Sequence, residues 1–509
     1  MKQWLQNNKG LLAALAVTVV FIAAECAVFY WKGGYLAALA PLALITVWLF
    51  AVRFETGLLL MALLTPFAVN VALLPGMELS MPVEPMMILF TLMFFFRVLI
   101  LRRQDVKTSR QQDLETTTSR SPEVSWYADS SADKSRSLLK HPVSLLLLAT
   151  LVWWVVTSCT SRLPWVSFKY FIARIWFVVP FFFAAAQIFR NRDRIRQFFW
   201  AYAIGLGIVI LIATTKTLGN FSDLQTLHRV MRPFYNDHTA YGCAIALMIP
   251  AAFYFIFSRG HSGWRRVLTL LLFAGLCVGL FFSYCRAAWL SVLGAIGVYV
   301  LVRMGMKVKW MVLLFGLGVG AFFMYQSEVL YKLGKNHQDS SYELADQVKS
   351  ISNISTDASN VERLNRWASA MRLWKESPVL GTGPGTYQFI YGSYQRSYQL
   401  STISTNSGNL GNAHSEYIGP MTEQGLPGVI LVVALFLTTF ATGVRVYRTA
   451  RDPEVRHMAL AFTLCLLTYY IHGVFNNFLD TDKLSVPFWA FTAAVVALDV
   501  YSEKLKTEN

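Results

Sequence analysis

Residues Gly428 to Val446 read GVILVVALFLTTFATGVRV, nineteen positions in which Arg445 is the only charged side chain. A helix rises about 1.5 Å per residue, so a segment of this length approaches the roughly 30 Å thickness of a bilayer's hydrocarbon core. Thirteen further apolar segments of similar length occur along the chain. The sequence therefore predicts an all-α polytopic membrane protein with about 12 to 14 transmembrane helices and one large polar loop.

The composition agrees with a membrane protein. Only 15% of the 509 residues are charged, against about 25% in soluble proteins, and the mean hydropathy is +0.44. A net charge of +16 would indicate nucleic-acid binding in a soluble protein, but most positive residues here lie in short loops between apolar segments. Basic short loops stay on the cytoplasmic side, so we interpret the charge as a topology signal and predict no nucleic-acid partner. The predicted spans cover about residues 11–30, 35–52, 56–74, 84–101, 142–160, 168–189, 198–216, 239–258, 266–283, 287–303, 310–325, 428–446, 457–474 and 484–501.

Polar stretches divide the chain into segments. Residues 103–141 are rich in Ser and Thr and have too few large apolar side chains for a core. Strict alternation of the spans places residues 326–427 opposite the basic loops, which is the periplasm if the protein lies in a bacterial inner membrane. We predict N-terminal transmembrane helices in 1–102, a disordered cytoplasmic linker in 103–141, a transmembrane core in 142–325, a large periplasmic loop in 326–427, and C-terminal transmembrane helices with a cytoplasmic tail in 428–509.

The large loop contains one helical pattern. Between Val361 and Glu376, apolar side chains recur at helical intervals at Leu364, Trp367, Met371 and Trp374. This spacing predicts an amphipathic helix that lies against the membrane or the helix bundle. Its basic residues, Arg363 and Arg366, are expected on a solvated or lipid-facing surface.

His414 is the leading candidate for catalysis. It lies in residues 412–417 (NAHSEY), just before the last helices and on the predicted periplasmic face. A neutral imidazole takes up a proton near pH 7, which suits a general base. The alternative is a structural histidine that caps the next helix or hydrogen-bonds a backbone carbonyl. Glu423, nine residues later, either orients the histidine, binds a sugar hydroxyl, or is a helix-end carboxylate beside a glycine turn.

Several cations lie at the same predicted face. Arg286 stands between two apolar spans at the non-cytoplasmic edge, where few arginines are expected. A guanidinium there suits an anionic ligand such as a phosphate, although pairing with a carboxylate or extension to the interface would also explain it. Lys169 and Arg174 begin an apolar helix from this face and Arg162 precedes it. Together they would form a cationic pocket for a diphosphate, or each would anchor the helix at the interface.

A third basic group, which includes Arg232, precedes residues 235–239 (YNDHT) at another helix entrance. We expect Asn236 or Asp237 to cap that helix rather than to act in catalysis. The outward loops contain no Asp-rich, His-x-x-His or cysteine-based metal pattern, and the cytoplasmic side contains no glycine-rich nucleotide loop. The sequence therefore predicts no metal and no other cofactor.

Three segments, in this order, resemble the O-antigen ligase and polymerase superfamily of bacterial inner-membrane proteins. Ser283 to Leu290 (SYCRAAWL) is similar to the family's Ser-Arg-x-x-Trp-Leu element, and Arg363 to Tyr387 contains RLNRW and SPVLGTGPGTY. Ala413 to Gly428 (AHSEYIGPMTEQGLPG) resembles the family's Ala-His-Asn-x-x-Leu and Glu-x-Gly-x-x-Gly stretch. The resemblance covers roughly residues 160 to 480. Its departures, at Ser415, Ile418 and Cys285, leave the choice between the family's members open.

The resemblance implies a GT-C-like, metal-independent glycosyltransferase that acts with inversion during lipopolysaccharide biosynthesis. Its donor would be a glycan on undecaprenyl diphosphate and its acceptor lipid A-core, with membrane lipids around it and the active site facing the periplasm. The alternatives are an O-antigen polymerase, a protein O-oligosaccharyltransferase and, from another class, a membrane transporter. Under the ligase interpretation the catalytic residues are His414 and Arg286, and the substrate-binding residues are Lys169, Arg174, Arg162, Arg232, Arg363 and Glu423.

Overall fold

A computed structural model describes residues 40–74, 77–112, 138–219, 229–258, 263–314, 316–317, 358–400, 404–405 and 411–502. The first predicted span, most of the predicted linker and the first part of the large loop lie outside these residues. The helices are α1 (Ala40–Val52), α2 (Phe54–Leu64), α3 (Val83–Gln112), α4 (Pro142–Cys159), α5 (Pro164–Ile188), α6 (Arg192–Leu218), α7 (His238–Ile256), α8 (Trp264–Phe282), α9 (Arg286–Arg303), α10 (Ala358–Glu376), α11 (Ile418–Thr449), α12 (Pro453–His472) and α13 (Asp482–Tyr501).

The prediction of an all-α polytopic membrane protein is confirmed. Within the described residues, eight helices are long and apolar enough to cross a membrane, namely α4, α5, α6, α7, α8, α9, α11 and α13. Helix α12 is 20 residues long and packs against α7, α9 and α11, so most of its side chains are buried. In contrast, α8 and α9 expose leucines and other apolar side chains along much of their length, as expected for helices that face lipid.

One predicted span differs from the structure. The segment predicted as a helix over 56–74 is helical to Leu64, makes a short 3-10 turn at Thr65–Phe67, and continues as strand β1 (Val69–Leu74). Strand β1 pairs antiparallel with β2 (Met77–Met81). The apolar run does not show where the helix ends, because Val, Ile and Leu are compatible with a strand as well as with a helix. Pro66 lacks a backbone N–H and so cannot continue the hydrogen bonding of the helix.

The hairpin is attached to the start of the last helix. Ser80 Oγ donates to Asp482 Oδ2 over 2.9 Å, and Lys483 Nζ lies 3.1 Å from the same carboxylate oxygen. All three side chains are less than 9% exposed. The buried charges of Asp482 and Lys483 compensate each other. This contact fixes the first turn of α13, which follows the segment that carries part of the candidate site.

Helix α10 is the helix predicted within the large loop, but the face that it buries is not the predicted one. The apolar side chains that revealed it, including Met371, are at least partly exposed, whereas Arg366 is only 5% exposed. The placement of Arg366 on a solvated or lipid-facing surface was therefore wrong. The cause is that α10 packs against the start of α11 through small and polar residues, which an apolar pattern does not identify. The buried face comprises Glu362, Asn365, Arg366, Ser369, Ala370 and Leu373.

Candidate active site

His414 lies in a strained turn immediately before α11. Its φ angle is +49°, and Tyr284, with φ of +48°, is the other non-glycine residue with positive φ in the described part of the chain. Left-handed conformations of this kind cost about 1 to 3 kcal/mol and persist where surrounding contacts enforce them, often at functional sites. Tyr284 belongs to the SYCRAAWL segment, so the two strained residues fall in two of the segments singled out from the sequence.

Ser415, rather than His414, supplies the cap of the next helix. Ser415 Oγ accepts hydrogen bonds from the main-chain N–H groups of Tyr417 at 3.2 Å and Ile418 at 3.3 Å. The His414 N–H donates to Asn412 Oδ1 over 3.1 Å, and no described residue hydrogen-bonds the imidazole ring. The helix-capping alternative for His414 is therefore not what the structure contains, and its ring remains available for a ligand.

Glu416 joins the His414 segment to the turn formed by residues 473–480. Its main-chain N–H donates to the Gly473 carbonyl over 2.7 Å. Its Oε1 accepts three hydrogen bonds, from the Tyr469 hydroxyl at 2.6 Å and from the N–H groups of Phe478 and Leu479 at 3.0 Å each. These bonds fix the backbone on the C-terminal side of His414.

Arg366 fixes the backbone on the other side. Its guanidinium donates to Glu362 over 2.7 Å and to the Asn412 carbonyl over 3.2 Å, and it lies 4.6 Å from the centroid of the Tyr391 ring. A Cβ atom on Gly411 would approach Arg366 Nη1 to 1.6 Å, so a side chain at this position would displace the guanidinium. Arg366 is thus a positioning residue for the segment that carries His414.

Burial and two guanidinium groups determine the charge state of His414. Arg363 Nε donates to the Phe475 carbonyl over 3.1 Å, which brings this side chain to the same turn that Glu416 contacts. Burial, followed by the positive charges of Arg363 and Arg366, lowers the pKa of His414 to about 3, while Asp237 acts in the opposite direction. The imidazole is therefore neutral at physiological pH.

Arg286 is the first residue of α9 and is half-buried. A cation is not favoured at a helix N-terminus by the helix dipole, but an arginine and a helix N-terminus both attract an anion. The preceding residue, Cys285, packs so closely on α7 that a Cβ atom on Gly242 would lie 2.7 Å from Cys285 Cβ. The charge of Arg363 acts on both Cys285 and His414, so both residues lie within electrostatic range of this guanidinium.

Asp237 caps the N-terminus of α7, as predicted from the sequence. Its Oδ1 accepts hydrogen bonds from the N–H groups of Thr239 at 2.7 Å and Ala240 at 2.8 Å. Arg232, upstream, is exposed, and its Nε donates to the Asn236 carbonyl over 3.3 Å. Arg232 therefore contacts the loop that leads into α7.

The cations predicted to share one pocket on α5 are separated. Arg174 is buried, donates to the Tyr170 hydroxyl and lies 4.6 Å from the centroid of that ring. Lys169 is exposed, and five residues correspond to about 140° of rotation around a helix, so it faces away from Arg174. Arg162 pairs with Glu376 at the end of α10, with 2.7 Å between Nη2 and Oε2. These side chains thus have three different environments.

Glu423 holds the glycine-rich loop of residues 381–385. Its carboxylate accepts from the N–H groups of Gly385 at 2.8 Å and Tyr387 at 2.9 Å, and its carbonyl accepts from Gly383 at 2.8 Å. Gly425, with φ of +71°, breaks the regular helix here, and a Cβ atom on it would lie 1.9 Å from the Val379 carbonyl oxygen. The contacts of Glu423 therefore support an anchoring role, whereas its predicted role in substrate binding stays a prediction.

Two residues that position the His414 segment, Arg366 and Glu416, were not predicted from the sequence to belong to the site. The spacing of Glu362 and Arg366, four residues apart on a predicted helix, was a signal for an ion pair. Glu416 lies within the quoted 412–417 segment, but nothing in its local pattern distinguishes it from a surface glutamate.

Comparison with known proteins agrees with the sequence motifs. Residues 267–433, from α8 to the first half of α11, match the family model described as O-antigen ligase. This segment includes Arg286, Arg363, His414 and Glu423. The match covers about a third of the chain and supports the predicted resemblance to the O-antigen ligase and polymerase superfamily.

A second similarity concerns a different glycosyltransferase. The chain is 32% identical over 97 residues to the "Probable peptidoglycan glycosyltransferase FtsW" of Geobacter metallireducens (strain ATCC 53774 / DSM 7210 / GS-15). The aligned part is 18% of this chain and 26% of the relative, so the chain spans about a quarter of that protein's length. Together the two similarities support a glycosyltransferase-like membrane enzyme and leave its acceptor open.

Proposed function

We propose that this member of the O-antigen ligase and polymerase superfamily transfers a glycan from undecaprenyl diphosphate to a hydroxyl of lipid A-core. One observation carries the proposal. His414 is neutral, has no hydrogen bond to its ring from the described residues, and is held in a left-handed turn within electrostatic range of Arg363 and Arg366. A neutral base next to fixed cations suits a reaction in which a hydroxyl loses a proton while a diphosphate departs.

In the proposed reaction, the His414 imidazole takes the proton of the acceptor hydroxyl. The hydroxyl oxygen forms a bond to the anomeric carbon of the donor sugar, and the bond between that carbon and the diphosphate oxygen breaks, which inverts the configuration. The leaving diphosphate keeps the electron pair and is stabilised by Arg286 and Arg363. The proton on His414 is then lost to solvent or to the released diphosphate.

The charge of the bound diphosphate connects donor binding to the basicity of His414. In the free site, two guanidinium groups and burial make His414 a weak base, since its pKa is about 3. A bound diphosphate offsets the positive charge of Arg363 and Arg366, so the pKa of His414 is higher in the donor complex than in the free site. We therefore expect His414 to become an effective base after the donor has bound.

The proposed location is the bacterial inner membrane, with the site facing the periplasm. Support comes from the opposite end of the bundle, which carries several arginines in and beside its short loops, including Arg192, Arg194 and Arg196 in the first turns of α6 and Arg451 before α12. Basic short loops remain in the cytoplasm, so the end that carries His414 faces outward. An undecaprenyl chain would reach the site laterally from the lipid.

Lipopolysaccharide profiles of a deletion strain test the acceptor. The strain is complemented with the wild type, His414→Ala or Arg286→Ala, with membrane levels of each protein matched. Loss of long-chain polysaccharide and accumulation of lipid-linked polymer in both variants would support a ligase. Single-repeat lipopolysaccharide would instead indicate a polymerase, and unchanged lipopolysaccharide with missing glycoproteins a protein transferase. Full complementation by His414→Ala would refute the proposed chemistry.

A further inference from the structure

Asp480 presents an open carboxylate next to the His414 segment. Its side chain is exposed, yet protein surrounds it closely enough that burial raises the pKa of Asp480 to about 6. No other described residue hydrogen-bonds or ion-pairs with this carboxylate, so its oxygens can accept bonds from a ligand.

Glu416 supplies a second acceptor nearby. Its Oε1 accepts from the N–H of Leu479, the residue directly before Asp480, so the Glu416 carboxylate contacts the turn that carries Asp480, and its charge acts on Asp480. No described residue hydrogen-bonds its other oxygen, Oε2. Glu416 is two residues from His414, so their Cα atoms are at most about 7.6 Å apart, twice the spacing of neighbouring Cα atoms.

Arg174 provides an independent indication of a ligand. It is 5% exposed, and its charge acts on both Asp480 and Glu416. Although Nη2 donates to the Tyr170 hydroxyl, the buried Nε has no hydrogen-bond partner within the described residues. Buried donors are almost always satisfied, so an unpaired guanidinium N–H beside open carboxylates indicates a polar group that completes the cluster.

The chemistry of this cluster restricts what it binds. Two carboxylates and one guanidinium have a net negative charge and therefore repel a phosphate. The phosphates of the donor are instead bound, in the proposed reaction, by the arginines near His414. Carboxylate oxygens accept hydrogen bonds from hydroxyls, and a guanidinium N–H donates to a hydroxyl oxygen. We propose that Asp480, Glu416 and Arg174 form a sugar subsite that binds the hydroxyls of the unit next to the reacting centre, and that Asp480 is its specificity-determining residue. This inference rests on the proposed function.

Asp480→Asn and Asp480→Ala test the subsite, with the exposed Asp193→Asn at the opposite end of the bundle as the matched control. Purified protein is assayed for transfer, and the KM values of lipid-linked donor and lipid A-core acceptor are measured separately. We expect a rise of roughly tenfold or more in the KM of one substrate, the loss typical of a hydrogen bond to a charged group. A selective rise for the acceptor assigns the subsite to the acceptor sugar, and a selective rise for the donor assigns it to the donor sugar.

The dependence on pH distinguishes sugar binding from a structural role. The charged groups that act on Asp480 are Arg174, Glu416 and Asp237. In the wild type, the affected KM should rise as the pH falls through about 6, because the protonated carboxyl is a poorer acceptor. Asp480→Asn should have the raised KM at every pH and lack this change. Unchanged KM values in both variants, or the same pH dependence in Asp480→Asn, would overturn the inference.

Failure of the proposed function would look different. In that case the wild type itself would transfer no glycan from the lipid-linked donor. Equilibrium binding of the lipid A-core acceptor and of the lipid-linked donor to the purified wild type then replaces the KM values. Loss of binding of either glycolipid in Asp480→Ala, with binding of inorganic diphosphate unchanged, would retain the subsite. Equal binding of both glycolipids by wild type and variant would refute it.

Discussion

The main-chain N–H of Glu416 donates to the carbonyl of Gly473 over 2.7 Å. This bond joins the segment that contains His414, before α11, to the turn between α12 and α13, from which Asp480 reaches the site. The two segments are more than fifty residues apart in the sequence. The geometry of the proposed base therefore depends on how the last helices pack, and not on the loop alone.

Glu416→Ala should reduce transfer by about 100-fold or more, because removal of three hydrogen bonds to a carboxylate oxygen releases the His414 turn. Glu416→Gln keeps one acceptor oxygen and should retain more activity than Glu416→Ala. Transfer rates are measured with melting temperatures in detergent. The exposed Glu376→Gln serves as control. Equal activity of wild type and Glu416→Ala would contradict the assigned role.

Arg366→Lys should lower stability and activity although it keeps the positive charge. A lysine cannot reproduce the planar contacts with Glu362 and the Asn412 carbonyl, and loss of a hydrogen bond to a charged group costs about 1.5 to 3 kcal/mol. Gly411→Ala should act through the same contact, since its Cβ would collide with Arg366. Thermal unfolding of both variants and of the double variant checks this. Additive effects would contradict a shared cause.

Glu423→Gln distinguishes anchoring from substrate binding. The glutamine places an NH2 group against one of the two main-chain N–H donors that the carboxylate accepts, so we expect a loss of about 1 to 3 kcal/mol in stability. The KM of either substrate should stay within about twofold, because the fold-anchoring contacts are to the protein itself. A raised KM with unchanged thermal stability would instead support the role in substrate binding predicted from the sequence.

The sequence predicted most of the helices because long apolar segments identify membrane spans almost independently of tertiary structure. It failed at residues 69–74, where an apolar strand has no charge or period that separates it from a helix. Within the site, the motifs led to Arg286, Arg363 and His414. They could not lead to Asp480, whose role depends on the position of a turn between two late helices.

Arg366 illustrates a second limit. Helical spacing correctly identified α10, but the side that faces the protein is polar and small, so the apolar pattern indicated the wrong buried face. Likewise, Lys169 and Arg174 were both predicted to bind substrate because both are positively charged. Their angular separation on the helix gives one an exposed position and the other a buried one.

The pH dependence of transfer should distinguish the pKa of His414 in the free enzyme from its pKa in the donor complex. The neutral imidazole is the base, and in the free enzyme His414 stays neutral down to about pH 3. The kcat/KM for the donor should therefore show no loss from His414 between pH 8 and pH 5. In contrast, kcat should fall as the pH falls, because bound diphosphate raises the pKa of His414 in the complex. A fall in kcat/KM near the ordinary pKa of histidine would contradict the charge balance proposed here.

The most direct measurement is the rate at which purified protein transfers a glycan from lipid-linked donor to lipid A-core, with His414→Gln compared to wild type. His457→Gln is the matched control, since that histidine is exposed at the opposite end of the bundle. Loss of a general base should lower kcat by about 10² to 10⁴ in His414→Gln, while His457→Gln should match the wild type. Wild-type rates in His414→Gln, in protein that remains folded, would contradict the assignment of His414 as the base.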